Sequence, residues 1–435
     1  MERFIGILGV VALMGIAYAL STNRKAINWR TVSVGVGLQV FFALFVLRTK
    51  PGEWLFEGAR AFIAKILTFT DYGAHFLFGN LYLTSPDIAG SILDDVPPGM
   101  AEGFTVMNPT TGGMMEIGTV FAIHVLPTII FFGSLMAVLY HLGVMQWIVK
   151  GFAWVMTRAM RTSGAESLSA ASNIFVGQTE APFVVKPFLA RMTPSEIMAV
   201  MTAGFATVAG GVLAAYVRFG VDPGHLMAAS VMSAPAALVM AKLIIPEVDK
   251  PETGQSLAIN VEKSYSNVID AAAGGASDGL KLAVNVAAML IAFIALVAMI
   301  NGFLGWAGGL VGIHGLSLKT ILGYMFSPLA FLMGVSWHDA LNVGYLMGAK
   351  ISINEFVAYI DLVGMKSQIS DRSFTIATYA ICGFANLSSI AIQIGGIAAL
   401  VPERRKDLAR LGGRAMIAGA LASFQTATIA GILLH

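Results

Sequence analysis

Long apolar segments recur along the whole chain, and their length constrains its fold more than any other feature. Phe4–Leu20, His225–Ile245 and Ala415–Leu434 each come close to the roughly 20 apolar residues that a helix needs to cross a bilayer. Only 12% of the 435 residues are charged, against about 25% in a soluble domain. The sequence therefore predicts an all-α polytopic membrane protein.

The polar composition excludes several function classes. A net charge of +2 does not suit a nucleic-acid partner. The single cysteine, Cys382, excludes an intrachain disulfide framework and any CxxC metal site. The histidines form no HxH or HxxxH pair, so a zinc or di-iron centre is not expected. We expect no cofactor and no enzymatic activity.

Basic residues between the apolar segments set the expected orientation. The loop 23–30 carries three positive charges and no negative one. The stretch 403–414 carries five positive charges against two negative ones. Because cytoplasmic loops are enriched in lysine and arginine, both should be cytoplasmic. Both termini are then predicted to be extracytoplasmic.

The apolar pattern predicts eight transmembrane helices, two re-entrant hairpins of opposite orientation and interfacial helices. The predicted spans are 4–20, 31–47, 117–140, 193–217, 225–245, 268–302, 374–400 and 415–434. The hairpins are 163–190 and 337–363, and the interfacial helices lie near 56–69, 144–160 and 318–333. The implied domains are 1–162 (scaffold helices), 163–245 (first transport repeat), 246–316 (connector and long scaffold helix) and 317–435 (interfacial helix and second transport repeat).

A polar stretch interrupts the first hairpin between Asn173 and Pro182. It contains Gln178, Thr179 and Glu180 within apolar flanks. An ionisable residue at membrane depth is costly, so it usually faces a cavity or a partner and marks a pathway. Each arm is too short to span, and both ends carry basic residues, which is typical of a hairpin that enters and leaves on one side.

A second polar stretch, Lys350–Tyr359, interrupts the second hairpin and contains Glu355. A helix follows each hairpin, and each of these helices contains the sequence Gly-Phe-Ala followed by a polar residue. That polar residue is Thr207 in the first helix and Asn386 in the second. In the predicted topology the two hairpins have opposite orientations, so the two units are inverted relative to each other in the membrane. Paired, glycine-interrupted segments in the two halves of a chain indicate a transporter's central site. We therefore expect the two stretches to face each other and to hold a polar substrate.

Three motifs make the sequence resemble the concentrative nucleoside transporter family. They are Gly177-Gln178-Thr179-Glu180-Ala181-Pro182, Gly348-Ala349-Lys350 followed by Asn354-Glu355-Phe356-Val357-Ala358-Tyr359, and Cys382-Gly383-Phe384-Ala385-Asn386 with Ser388-Ser389. The resemblance covers essentially the whole chain, with the short N-terminus of bacterial members. It implies a homotrimer in a bacterial inner membrane. It also implies sodium-coupled import of nucleosides such as uridine, by an elevator motion of a transport domain within a scaffold.

The resemblance also implies residue roles. The nucleoside-binding residues would be Gln178, Thr179 and Glu180 toward the base, Phe384 against the nucleoside, and Glu355, Asn386 and Ser389 toward the ribose. The sodium ligands would be the side chains of Asn173 and Thr207 and the backbone carbonyls of Val176 and Val208, with threonine in place of a more familiar serine. The chemistry is suitable, because carboxylate and amide groups match a ribose diol and hard oxygen ligands match sodium.

Several alternatives remain open at this point. Proton coupling through Glu180 or Glu355 competes with sodium coupling, and an intramembrane hydrolase and a channel are rival functions. Asn173 and Thr207 could merely hydrogen-bond neighbouring helices. Glu180 could form an ion pair with Lys186, Glu355 could pair with Lys350, and Ser389 could bond to its own helix.

Overall fold

The computed structural model describes residues 2–84, 105–107, 114–116, 120–254 and 265–434. The described residues are almost entirely helical. The helices of the first half are α1 (Glu2–Ala19), α2 (Trp29–Arg48), α3 (Lys50–Phe78), α4 (Phe121–His124), α5 (Leu126–His141), α6 (Val144–Met160), α7 (Gly164–Ser172), α8 (Ala181–Val184), α9 (Lys186–Leu189), α10 (Pro194–Ala206) and α11 (Gly210–Arg218). An antiparallel strand pair, β1 (Thr105–Met107) and β2 (Met114–Glu116), has Val106 opposite Met115.

The second half continues the helical pattern. Its helices are α12 (Pro223–Ile244), α13 (Val268–Leu310), α14 (Leu318–Leu332), α15 (Ala340–Ser352), α16 (Glu355–Gly364), α17 (Asp371–Ile381), α18 (Leu387–Leu400) and α19 (Arg405–Leu433). Short 3-10 turns occupy Arg24–Ala26, Gly79–Thr84 and Pro402–Arg404. The predicted connector before α13 lies partly outside the described residues, since 255–264 are not among them.

Local sequence signals explain where the central helices begin. Thr193 caps α10, because its hydroxyl accepts from Glu196 N–H while the Glu196 carboxylate accepts from Thr193 N–H. Ser163 and Glu166 form the same reciprocal pair at the start of α7. Asn354 caps α16 through a 2.9 Å hydrogen bond from Val357 N–H. These caps fix the chain direction on either side of the polar stretches.

Six helical stretches in the described part of the chain are long and apolar enough to cross a membrane. They are 29–48, 121–141, 194–218, 223–244, 268–310 and 402–433. The predicted first span is shorter, as Phe4–Ala19, and the predicted span 374–400 is divided into α17 and α18. The protein is thus a multi-pass helical membrane protein, and the count of eight spans stays a prediction.

Two helix boundaries differ from the sequence-based expectation. The predicted span 117–140 is broken at Val125, ahead of Pro127, which has no N–H to continue the hydrogen-bond ladder. The long helix α13 runs on to Leu310 instead of ending near residue 302. It stops only where Gly312 takes a positive φ of 76°, a conformation that favours glycine.

Helix α13 packs along α5 through small residues. A Cβ atom on Gly133 would lie 2.7 Å from the Gly275 carbonyl oxygen, and one on Gly279 would lie 2.8 Å from Ile130 Cα. Ser134 Oγ also donates to the Ala272 carbonyl at 2.9 Å. Close backbone approach at small residues is a common way for membrane helices to associate. The remainder of α13 leaves large apolar side chains exposed.

Helices α10, α12 and α19 form the buried centre of the chain, and the two polar stretches lie beside them. Two units share one order of elements around this centre. In each unit a helix leads to a polar tip, a short helical segment returns from the tip, and another helix follows that is separated by a break from the last helix of the unit. The first unit is α7 to α11, and the second is α15 to α18. The breaks fall at residues 207–209 and 382–386, where the repeated Gly-Phe-Ala sequences end.

Candidate functional site

The two broken helices contact each other at the centre of the protein. Gly383 in the second break has a φ of 127°, and a Cβ atom there would lie 2.8 Å from Phe205 O and 2.9 Å from Ala206 O. Only a glycine suits both the backbone angle and the close approach. The freed backbone groups of the two units therefore border one polar region.

Glu355 and Asn386 form the first side-chain pair of this region. Asn386 Nδ2 donates to Glu355 Oε2 at 2.9 Å, and the Tyr216 hydroxyl donates to Glu355 Oε1 at 3.2 Å. The ring of Tyr216 packs on Tyr359, with centroids 4.2 Å apart. Glu355 is only 3% exposed, and a buried carboxylate needs such donors to offset its lost hydration.

Gln178 and Ser389 form the second pair. Gln178 Nε2 donates to Ser389 Oγ at 3.3 Å, and Gln178 Oε1 accepts from Gln393 Nε2 at 3.1 Å. Gln393 also donates to the Met201 carbonyl at 3.0 Å. A Cβ atom on Gly204 would lie 2.6 Å from Gln393 Nε2, so the small residue leaves room for the amide. Ser389 is therefore engaged with the first tip instead of only with its own helix.

Both pairs converge on the N-terminus of α18. Asn386 caps this helix, because its Oδ1 accepts from Ser389 N–H at 2.8 Å. Glu355 and Gln178, from the two polar tips, thus reach side chains one helical turn apart. Phe384 lies in the same break and is partly buried. The structure brings together five of the seven predicted nucleoside-binding residues at this point.

Thr179 and Glu180 lie further along the first tip. Thr179 packs against α18, since a Cβ atom on Gly396 would lie 2.8 Å from Thr179 Cγ2. The Glu180 side chain is exposed and folds back over Gly177. In the described part of the chain, neither Lys186 nor Glu355 forms an ion pair or hydrogen bond with Glu180. The two tips therefore converge on the N-terminus of α18 through Gln178 and Glu355, and Glu180 lies outside these contacts.

A second cluster of oxygen atoms lies where α7 ends and α10 breaks. Asn173 is fully buried; its Nδ2 donates to Ser169 O at 3.0 Å, while its Oδ1 has no hydrogen-bond partner among the described residues. Thr207 Oγ1 donates to Ala203 O at 2.9 Å and keeps its lone pairs. Gly210 N–H donates to Phe175 O at 3.0 Å, which joins the tip to the break.

The carbonyls of Val176 and Val208 belong to the same two irregular segments. Neither accepts a hydrogen bond from another described residue. Hard oxygen ligands of this kind suit an alkali or alkaline-earth cation. An unpaired, fully buried amide oxygen is expensive, and a bound cation would remove that cost. The donor set therefore fits sodium.

Three further polar side chains lie at the site but were not among the predicted binding residues. Tyr216, Gln393 and Lys350 are all buried, and each contacts a residue of the two tips or breaks. The available signal for Gln393 is its position one helical turn after Ser389. The signal for Lys350 is a full charge in an apolar helix, which is rare without a function.

Broken helices that meet at a polar centre inside an apolar helical protein define a membrane transporter. Comparison with known proteins agrees. Residues 8–81 and 225–431 match the families described as Na+ dependent nucleoside transporter N-terminus and C-terminus, and residues 122–222 match the one described as Nucleoside recognition.

Relatives cover nearly the whole chain. The Bacillus subtilis protein named uncharacterized transporter YutK is 43% identical over 99% of both chains. Mouse sodium/nucleoside cotransporter 1 is 41% identical over 99% of this chain, which spans 64% of the mouse protein. The structure of CNTnw in an inward-facing substrate-bound state is 44% identical, with a TM-score of 0.87 and coverage of 100% of this chain and 98% of that one. The protein belongs to the concentrative, sodium-dependent nucleoside transporter family.

Proposed function

We propose that this protein is a sodium-coupled nucleoside symporter that moves nucleosides such as uridine into the cell. The observation that carries the proposal is the convergence of the Glu355–Asn386 and Gln178–Ser389 pairs on one helix N-terminus. Family membership supports sodium-coupled transport of nucleosides. The chemistry of the two pairs suits such a substrate.

The side chains of the two pairs suit different parts of a nucleoside. The carboxylate and amide of Glu355 and Asn386 suit the vicinal hydroxyls of a ribose, each of which both donates and accepts. The amide of Gln178 and the hydroxyl of Thr179 suit the mixed donor and acceptor edge of a base. Phe384 offers an apolar face for packing against the nucleoside. Glu180, exposed at the same tip, would reach the base in part through water.

Sodium would bind at Asn173 and Thr207 and at the carbonyls of Val176 and Val208. The unpaired Asn173 Oδ1 is the strongest support for this assignment. The ion would tie the first tip to the break of the following helix and so order Gln178 for the nucleoside. If sodium raises the affinity for nucleoside, nucleoside must raise the affinity for sodium by the same factor.

We further propose the architecture in which this site works. The units 163–245 and 317–435 would form an inverted-repeat transport domain with two re-entrant hairpins and an interfacial helix, and 1–162 with 246–316 the scaffold. Three chains would assemble as a homotrimer in the bacterial inner membrane, with both termini outside. The transport domain would move by an elevator motion. The glycine-mediated contact of α5 with α13 suits a rigid scaffold.

Uptake into proteoliposomes tests the proposed function. Purified protein is reconstituted, and entry of radiolabelled uridine is measured under an inward sodium gradient or an inward proton gradient. We expect the sodium gradient alone to drive accumulation and the recovered label to be unchanged uridine. Accumulation driven only by the proton gradient would establish the alternative, a proton-coupled nucleoside symporter, and refute sodium coupling.

A competition panel extends the same experiment. Unlabelled purine and pyrimidine nucleosides, free nucleobases and ribose compete with the labelled uridine at fixed sodium. Competition by nucleosides, and much weaker competition by free bases and ribose, is the expected pattern because both halves of the site contribute. Equal competition by free ribose would contradict the assignment of the base to the first tip.

A further inference from the structure

Lys350 is an unexpected residue beside the site, because it is a fully buried lysine that forms no direct ion pair with a carboxylate among the described residues. Its Nζ donates to the Ala380 carbonyl at 3.0 Å and to the Cys382 carbonyl at 3.4 Å. The Phe424 ring lies on another side, with its centroid 5.5 Å from Nζ. Two carbonyl dipoles and an aromatic face are a setting that suits a positive charge.

The two carbonyls belong to the second break. Ala380 lies in the last turn of α17, and Cys382 is the first residue beyond that helix. The last carbonyls of a helix have no intrahelical partner, and a cation near them is favourable. Lys350 thus satisfies the freed backbone groups next to Phe384 and Asn386. The lysine comes from the first arm of the second hairpin, two residues before that arm ends at Ser352.

The first repeat has a different polar side chain near the end of its first arm. That arm ends at Ser172, and the next residue, Asn173, is buried with an Oδ1 atom that has no hydrogen-bond partner among the described residues. An oxygen needs a cation from solution to complete such a site, whereas an ammonium group brings its own charge. Near the end of the first hairpin arm, the first repeat therefore has an acceptor, one residue after Ser172, and the second repeat has a cation, two residues before Ser352.

We propose that the Lys350 ammonium is a built-in cation that does in the second repeat what the coupling ion does in the first. This inference rests on the proposed function. Lys350 would be a positioning residue that holds the second break, and with it Phe384, Asn386 and Glu355, in the nucleoside-binding arrangement without sodium. The coupling ion would then act on the first tip and Gln178 only. Half of the site is permanently ordered, and half is ordered by the ion.

Nucleoside binding to purified protein in lipid nanodiscs tests the inference. The dissociation constant for uridine is measured without sodium and at saturating sodium for wild type, Lys350→Met, Lys350→Arg and Asn173→Ala. For Lys350→Met we expect affinity to fall about 10- to 100-fold at both sodium levels, as for the loss of a charged hydrogen-bond donor. The factor by which sodium strengthens binding should stay unchanged. Asn173→Ala should instead remove that factor.

Two variants keep the test decisive if Lys350→Met does not fold. Lys350→Arg keeps the charge, and we expect it to retain more affinity than the methionine variant. Phe424→Leu removes only the ring, and we expect weaker nucleoside binding with the sodium factor intact. Unchanged affinity in Lys350→Met, or in Phe424→Leu where the former cannot be purified, would overturn the inference, and so would loss of the sodium factor in either. Wild-type protein that binds no uridine at any sodium level would refute the proposed function itself.

Discussion

Gln393 donates through Nε2 to Gln178 Oε1 across 3.1 Å, and this contact joins the second broken helix to the first polar tip. A free glutamine amide can present either its oxygen or its nitrogen to a ligand. Here the oxygen is directed toward Gln393, so the nitrogen is directed toward Ser389 and the substrate region. Gln393 thus fixes the orientation of the Gln178 amide, which we propose contacts the nucleobase.

Gln393→Leu should weaken nucleoside binding without abolishing transport. Loss of one neutral hydrogen bond costs about 0.5–1.5 kcal/mol, which predicts a rise of about 2- to 10-fold in KM for uridine. Gln425→Leu is the matched control, because Gln425 is equally buried and its amide has no hydrogen-bond partner among the described residues. Equal KM values for the two variants would mean that Gln393 does not orient Gln178.

Gly383→Ala should separate the two broken helices. The added Cβ would press on the backbone of Phe205 and Ala206 at a φ of 127°. Backbone strain and overpacking each cost about 1–3 kcal/mol, so we expect a lower thermal unfolding temperature in detergent and weak uridine binding. Gly413→Ala is the control, since a Cβ there meets nothing within 4 Å. A normal unfolding temperature for Gly383→Ala would argue against the close approach.

Thr207→Ala should reduce the sodium dependence of uptake, because the break loses the hydroxyl that we propose as a sodium ligand. The sodium concentration for half-maximal uptake is expected to rise severalfold, and uptake at saturating sodium should largely recover. Thr428→Ala is matched to it, because Thr428 is fully buried and donates to the carbonyl four residues earlier, as Thr207 does. An unchanged sodium response in Thr207→Ala would show that the ion binds elsewhere.

Lys242→Ala should destabilise the protein strongly. Lys242 Nζ lies 2.7 Å from the Glu166 carboxylate, which is 1% exposed, and 3.1 Å from Glu247. Removing one partner of a buried ion pair costs about 3–5 kcal/mol because the other charge stays buried and uncompensated. Thermal unfolding measures this loss.

Lys281→Ala provides the comparison for that prediction. Lys281 and Asp278 form an ion pair with both side chains more than 60% exposed, and an exposed pair contributes about 0–1 kcal/mol. The double variant Glu166→Gln with Lys242→Met should recover part of the stability lost in Lys242→Ala, since the buried carboxylate of Glu166 is no longer left without a partner; the carboxylate of Glu247, which is 23% exposed, remains. Equal unfolding temperatures for Lys242→Ala and Lys281→Ala would contradict the role given to the buried pair.

Much of the backbone could be predicted from the sequence, because local rules determine it. The predicted span 193–217 begins where α10 begins, because Thr193, Pro194 and Glu196 supply a local capping signal, and the repeated Gly-Phe-Ala sequence marks the break near Thr207. The positions of the two tips could also be predicted, because polar residues within apolar segments are a local feature of the sequence. The predicted span 268–302 is shorter than α13, because the glycines at residues 302, 305, 308 and 309 lie within the helix, which runs on to Leu310.

The side-chain partners of the site could not be predicted in the same way. Which helix Gln393, Tyr216 or Lys350 contacts depends on how distant segments pack, and no periodicity in the sequence encodes that packing. The position of Glu180 also depends on tertiary structure, because the tip folds its carboxylate back over Gly177. The resemblance to the concentrative nucleoside transporter family indicated which residues form the site, but it did not specify which of them contact one another.

Binding of uridine and its 2′- and 3′-deoxy analogues to wild type and Glu355→Gln tests the central claim most directly. Asn386 and Tyr216 hold the Glu355 carboxylate, which we propose accepts hydrogen bonds from the ribose hydroxyls, and a charged acceptor is worth about 1.5–3 kcal/mol. We predict that Glu355→Gln severely weakens uridine binding and that the wild-type preference for uridine over at least one deoxy analogue disappears in the variant. Near-normal binding with that preference retained would contradict the assignment of the ribose to Glu355.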